Sequence, residues 1–184
     1  MNVRKKIKGS SSKDISLTAM LGALSSVARI PFGAIPSAQP CTFIIACTGY
    51  VFGPVKGFAV GALTAVLSGF FFGIGPWTVF QIIAWGLAGI LFSVLGKILK
   101  RNNTKYSIGA LAAIGFLYGY VFGFIMNLWY LLAFGFPISV KSIVALQITS
   151  FWMDSVHGAS TAAFFLIFGK RVIGILDRFR KRLF

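Results

Sequence analysis

IVALQITSFWMDSVHGASTAAFFLIF, residues 143–168, decides what kind of chain this is. As a helix it is long enough to cross the hydrocarbon core of a bilayer, which takes about 20 residues. Yet it holds Asp154 and the chain's only histidine, His157. Asp154 is also the one acidic residue inside any apolar run, because Asp14 and Asp177 lie in basic flanks and there is no glutamate. An ionisable group at bilayer depth costs about 2.5–3.5 kcal/mol on insertion scales, so it is kept where it faces a partner or a cavity. The pair marks where function is to be sought.

Working outward, five more apolar runs precede this one, at 15–30, 41–54, 57–74, 77–98 and 107–134. With 57% hydrophobic residues, 11% charged residues and a mean hydropathy of +0.86, the chain lacks the polar surface of a soluble domain. The runs are too long for barrel strands and do not alternate, so helices must pair the backbone inside lipid. The fold class expected is an all-α integral membrane protein with six transmembrane helices. The second run is short and ends at Phe52-Gly-Pro-Val-Lys-Gly57, which reads as a tight turn into the third.

Charge placement orients the bundle. If the N-terminus is cytoplasmic, all of the 18 Lys and Arg residues except Arg29 and Lys141 fall on the inside. That bias puts both termini in the cytoplasm of a cell whose plasma membrane the chain spans. The expected organisation is a basic N-terminal segment at 1–14, a transmembrane domain at 15–170 and a basic tail at 171–184. The net charge of +15 is read as topology signal and anionic-lipid contact, with no nucleic acid partner expected. The first run has the basic start of a signal peptide, but Pro36 spoils the cleavage pattern before Ala38 and Cys41 lacks a lipobox. It is read as a helix that stays. Cys41 and Cys47, six apart, fall on different helix faces and are read as packing residues.

Several chemistries are missing from the sequence. There is no Gly-x-x-x-x-Gly-Lys-Ser/Thr loop to bind and hydrolyse ATP. There is no His-Glu-x-x-His, and one histidine without glutamate cannot assemble most zinc hydrolase sites. No nucleophile in a recognisable context accompanies Asp154 and His157, so the chain is not read as an enzyme and no metal or cofactor of its own is expected. Any uphill work must draw on a partner or an ion gradient.

Polar side chains nevertheless line up. Gln147, Ser150, Asp154, His157 and Thr161 recur at spacings of three and four, which makes one stripe on a helix. The stripe is either a hydrogen-bonded seam between helices or the wall of a site. Trp77, Gln81 and Trp85 follow one another at intervals of four, and Tyr120, Phe124, Asn127 and Tyr130 share a face. Aromatic rings with an amide among them suit a large, flat, partly polar ligand, or else an interfacial belt near Trp77 and Trp129. Ala19, Gly22, Ala23 and Ser26 form a stripe of small residues that lets another helix approach closely, whether from inside or outside the chain. Arg29 stands at the outer end of that helix, before the proline-rich segment Pro31–Pro40. It is read as snorkelling, or as pairing with Asp154 or an anionic ligand group.

Six spans, cytoplasmic termini, Ala19-x-x-x-Ala23, the turn Gly53-Pro-x-x-Gly57 and the last-helix set Trp152, Asp154, His157 and Gly158 together resemble the substrate-specific S-components of energy-coupling factor (ECF) vitamin transporters. The likeness covers 15–170. It implies a vitamin site open to the outside and assembly with a membrane-embedded coupling subunit, the T-component, and two ABC-type ATPases that use ATP. It also implies that Ala19 and Ala23 dock the coupling subunit and that the whole component topples during transport. The segment Gly75-Pro-Trp-Thr-Val-Phe-Gln-Ile-Ile-Ala-Trp-Gly86 looks like that of members assigned to cobalamin. The expected substrate is therefore cobalamin, with riboflavin, pantothenate, folate or a pyrimidine-type precursor as alternatives. Soluble corrinoid domains use Asp-x-His-x-x-Gly, from which Asp154-x-x-His157-Gly158 departs, so His157 is not read as a cobalt ligand. The expected binding residues are Arg29, Trp77, Gln81, Trp85, Asn127, Tyr130, Trp152, Asp154 and His157, with Asp154 holding His157 or Arg29 in place. In a different class, Asp154 and His157 would relay protons in an autonomous secondary transporter.

Overall fold

The computed structural model describes residues 12–101 and 108–183, and every regular element among them is helical. Helix α1 spans Ser12–Arg29 and runs into a 3-10 turn at Ile30–Phe32; α2 spans Cys41–Phe52, α3 Pro54–Phe72, α4 Trp77–Arg101, α5 Ile108–Ala133 and α6 Val140–Leu183. All but α2 are long and apolar enough to cross a membrane.

The second expected span is a different object. With 12 residues, α2 rises about 18 Å, well short of the roughly 30 Å of hydrocarbon. Only Ile44 and Phe52 escape full burial, so α2 is enclosed by α1, α3, α4 and α6 rather than by lipid. A helix whose polar groups and side chains are covered by neighbours does not need bilayer length. Cys41 and Cys47 are buried and unpaired there, as packing residues.

The turn at its end forms as the sequence indicates. Gly53 alone separates α2 from α3, with φ +99°, and Pro54 opens α3. Only glycine takes that backbone at little cost, and proline suits a first helical position. Close approach follows from glycines elsewhere in the same region. A Cβ on Gly57 would come within 2.8 Å of Gly49 Cα and of the Gly89 carbonyl oxygen, so α2, α3 and α4 meet backbone to backbone. Around this crossing Phe43, Phe92 and Phe165 interlock, with ring centroids 4.9 and 5.3 Å from Phe165.

The two ends of the bundle differ in chemistry. At one end Asp14 near the start of α1 pairs with Lys56 of α3 at 2.6 Å, and Arg180 of α6 donates to the Val51 carbonyl at 3.3 Å. At the other lie the segments joining α1 to α2, α3 to α4 and α5 to α6. The last helix runs on through 171–183, where Ile173 and Leu176 remain buried and Asp177 pairs with Arg180 and Lys181. The basic tail is thus a continuation of α6.

Candidate functional site

Arg29, Trp85, Thr42 and His157, from four helices, form a connected line at the loop-bearing end, flanked by groups of α3 and α5. Thr42, in the first turn of α2, stands at its centre. Its Oγ1 accepts from Trp85 Nε1 of α4 at 3.0 Å and lies 2.8 Å from His157 Nε2 of α6. All three residues are almost fully buried, with Trp85 and Thr42 at 0% and His157 at 3% exposure. Phe122 of α5 stacks on the His157 ring at 4.6 Å and leans on Trp85 at 5.4 Å. Beyond Trp85 comes Arg29, its guanidinium carbon 5.3 Å from the Trp85 ring and 4.4 Å from that of Phe72. Arg29 Nη1 donates to Ser68 Oγ of α3 at 2.8 Å. The residues linking α1 to α2 cover Arg29, leaving a cavity of about 100 Å³ lined by Arg29, Phe72 and the loop from Ile35 to Gln39. Gln39 N–H reaches Ser160 Oγ at 3.4 Å, tying that loop to α6.

Asp154 belongs to a separate cluster. Its Oδ2 accepts from Gln147 Nε2 and Ser150 Oγ, both at 2.8 Å, and Asn127 Nδ2 of α5 bridges to Gln147 at 3.2 Å and Ser150 at 2.9 Å. The carboxylate abuts Gly123, where a Cβ would run into it. Thus the expectation that Asp154 holds His157 or Arg29 is corrected. Positions three apart on a helix differ by about 60° around its axis. That is enough to send the Asp154 carboxylate onto Gly123 of α5 while His157 reaches Thr42 of α2 and stacks on Phe122 of α5. The stripe splits into a seam between α5 and α6 and a contribution to the four-helix line.

The other expected site residues divide as well. Trp85, His157 and Arg29 meet in the line, and Asn127 joins the Asp154 seam. Trp77 rests on Trp129 at 6.3 Å, and Gln81, half-buried on the same helix, lies between Trp77 and Trp85 in sequence. Trp152 is 73% exposed. Two positions before Asp154 puts it on roughly the opposite side of α6, away from the buried groups. Tyr130 is exposed and packs on Phe134 and Phe136 beyond the bundle, at 4.5 and 6.2 Å.

The small-residue stripe on α1 also separates into two faces. Gly22 is pressed on Leu63 of α3, and Ser26 donates to the Gly22 carbonyl at 2.8 Å beside α3. Neither is open to a partner, which corrects their expected place in the coupling interface. Ala19 and Ala23 are exposed, and Ala19 borders a cleft of about 620 Å³ between the starts of α1 and α3. Sequence reasoning missed Thr42, Ser68, Phe72 and Phe122. The available signal was weak: lone hydroxyls and phenylalanines within apolar runs, at no diagnostic spacing.

A model of the protein family described as "ECF transporter, substrate-specific component" matches residues 13–175. No curated protein and no solved structure matches the chain.

Proposed function

The chain belongs to the substrate-specific component family of ECF transporters, and from that premise we propose that it is the high-affinity vitamin-binding subunit of an ATP-driven importer. Components of this family work with a T-component and ATPases. The chain contributes recognition and leaves energy coupling to those partners, with both of its termini in the cytoplasm and the loop-bearing end outside.

The observation that carries this reading is the buried line Arg29–Trp85–Thr42–His157, which links α1, α4, α2 and α6 beneath the outer loops. Sites for small molecules combine apolar and aromatic walls with a few fixed polar groups. Here Trp85, Phe122 and Phe72 are the walls, while Arg29, Thr42 and His157 supply direction. Large apolar side chains exposed on the outer connections, among them Ile35, Ile74, Phe134 and Phe136, support closure of those segments over a ligand. Trp77 and Gln81 extend the same wall toward the outside.

Cobalamin is the substrate we assign, from the likeness of Gly75–Gly86 to the cobalamin members. That segment contains Trp77, Gln81 and Trp85, so the likeness falls on the wall of the proposed site. Asp154 serves as a brace between α5 and α6 that keeps the wall in place. A proton relay is disfavoured, because the hydrogen bonds described for Asp154 and His157 go to different neutral partners.

Uptake of labelled cobalamin separates the classes. Cells making the chain together with a T-component and ATPases should accumulate the label, and cells making the chain alone should not. Accumulation by the chain alone, abolished in Asp154→Asn, would establish the proton-coupled carrier instead.

A further inference from the structure

We propose that the ligand carries an oxyanion, a carboxylate or a phosphate, and that Arg29 receives it in the small cavity beneath the α1–α2 connection; this rests on the reading of the chain as a vitamin-binding component. The chain has three acidic side chains, and each is engaged elsewhere. Asp14 pairs with Lys56 at 2.6 Å, Asp177 pairs with Arg180 at 2.6 Å and Lys181 at 3.3 Å, and Asp154 accepts from Gln147 and Ser150. Among the described residues no carboxylate lies within ion-pairing distance of Arg29.

Arg29 is nevertheless drawn inward rather than extended to water. Its guanidinium sits against the faces of Phe72 and Trp85 and gives one N–H to Ser68. Aromatic faces attract a cation without neutralising it, and a guanidinium has five N–H donors to place. A partly buried cation with spare donors and no counter-ion among the described residues is matched by an oxyanion, which it can grip through two parallel hydrogen bonds. The cavity that Arg29 lines has a volume of about 100 Å³, far below the roughly 300–1,000 Å³ of pockets for whole ligands. It therefore takes one charged group, while the rest of the ligand lies along Trp85 and the outer wall. Gln39 N–H on Ser160 ties the roof of this cavity to the helix that bears His157.

A phospholipid phosphate offers the same oxyanion, so the test has two arms. In the first, the full chain in phospholipid-free detergent is titrated with pairs of which one member bears the oxyanion: pantothenate and pantothenol, biotin and biotinamide, or cobalamin, with its phosphodiester, and dicyanocobinamide, which lacks that phosphodiester and the base it carries. In the pair that binds, the member bearing the anionic group should bind more tightly than the neutral member without it. Arg29→Gln should weaken that member on the order of 10- to 100-fold and leave the neutral member little changed. Binding of the neutral member also reports that the variant is folded. Arg29→Lys keeps the charge without the fork, and should weaken the anionic member selectively if Arg29→Gln does not fold. In the second arm, phosphatidylcholine is added and thermal stability followed. Equal losses for both members, or no preference in the wild type, overturn the proposal, as does lipid stabilisation lost in Arg29→Gln without any anion preference. Binding without preference removes this inference alone; no binding by any vitamin removes the vitamin-binding reading with it.

Discussion

Thr42 joins Trp85 to His157 across 43 and 115 positions of sequence, and no spacing rule could have announced it. Thr42→Val preserves shape but leaves the indole and imidazole nitrogens without their partner. Each unsatisfied buried group costs about 1–3 kcal/mol. The variant should melt at a clearly lower temperature in detergent and bind ligand more weakly; an unchanged melting temperature and affinity would show that the line is incidental. Asp154 and His157 were legible because nothing else in their run can ionise. Their directions were not, since a rotation of about 60° chooses between neighbours that only the folded bundle supplies. Gly123 makes a complementary test of the seam. Gly123→Ala places a methyl group where the Asp154 carboxylate lies, and overpacking of this kind costs about 1–3 kcal/mol. Thermal unfolding of the purified variant should register that loss.

Among the elements, α1 shows how far a pattern can be read. Four small residues at helical spacing indicated a close helix contact, and within the chain that contact exists on one side of the helix. Gly22 and Ser26 meet α3, while Ala19 and Ala23 face outward. Composition cannot separate the two faces, because both carry small side chains. Ala19→Trp and Ala23→Trp are expected to abolish uptake in the complete transporter while vitamin binding by the isolated chain persists. Gly22→Trp should lose binding and folding together, since its side chain would enter Leu63. Equal loss of binding in all three would mean that the outward face also packs internally. For α2, the sequence showed its shortness and its glycine turn but not its enclosure. That enclosure depends on Gly49, Gly57 and Gly89 meeting from three helices. Gly57→Leu should therefore unfold the crossing, seen as aggregation or a broadened profile on size-exclusion chromatography.

At the scale of the whole molecule, a loop-bearing end with a covered cluster of aromatic and polar groups is joined to an opposite end held by the Asp14–Lys56 ion pair and the Arg180–Val51 hydrogen bond. Hydropathy and charge made the helical class and the grouping of basic residues legible. The helix that fell short of a span, and the continuation of the last helix through its basic tail, depended on burial that no linear pattern carries. This division matches the proposed division of labour, with recognition in one chain and energy in its partners. The most direct measurement is a titration of the purified chain, alone in detergent, with a vitamin panel followed by calorimetry and corrinoid absorbance. Saturable, tight binding of cobalamin is expected without T-component, ATPases or ATP. Tight binding of another vitamin in its place would overturn the assigned substrate, and no binding by any member of the panel would contradict a vitamin-binding role for the chain.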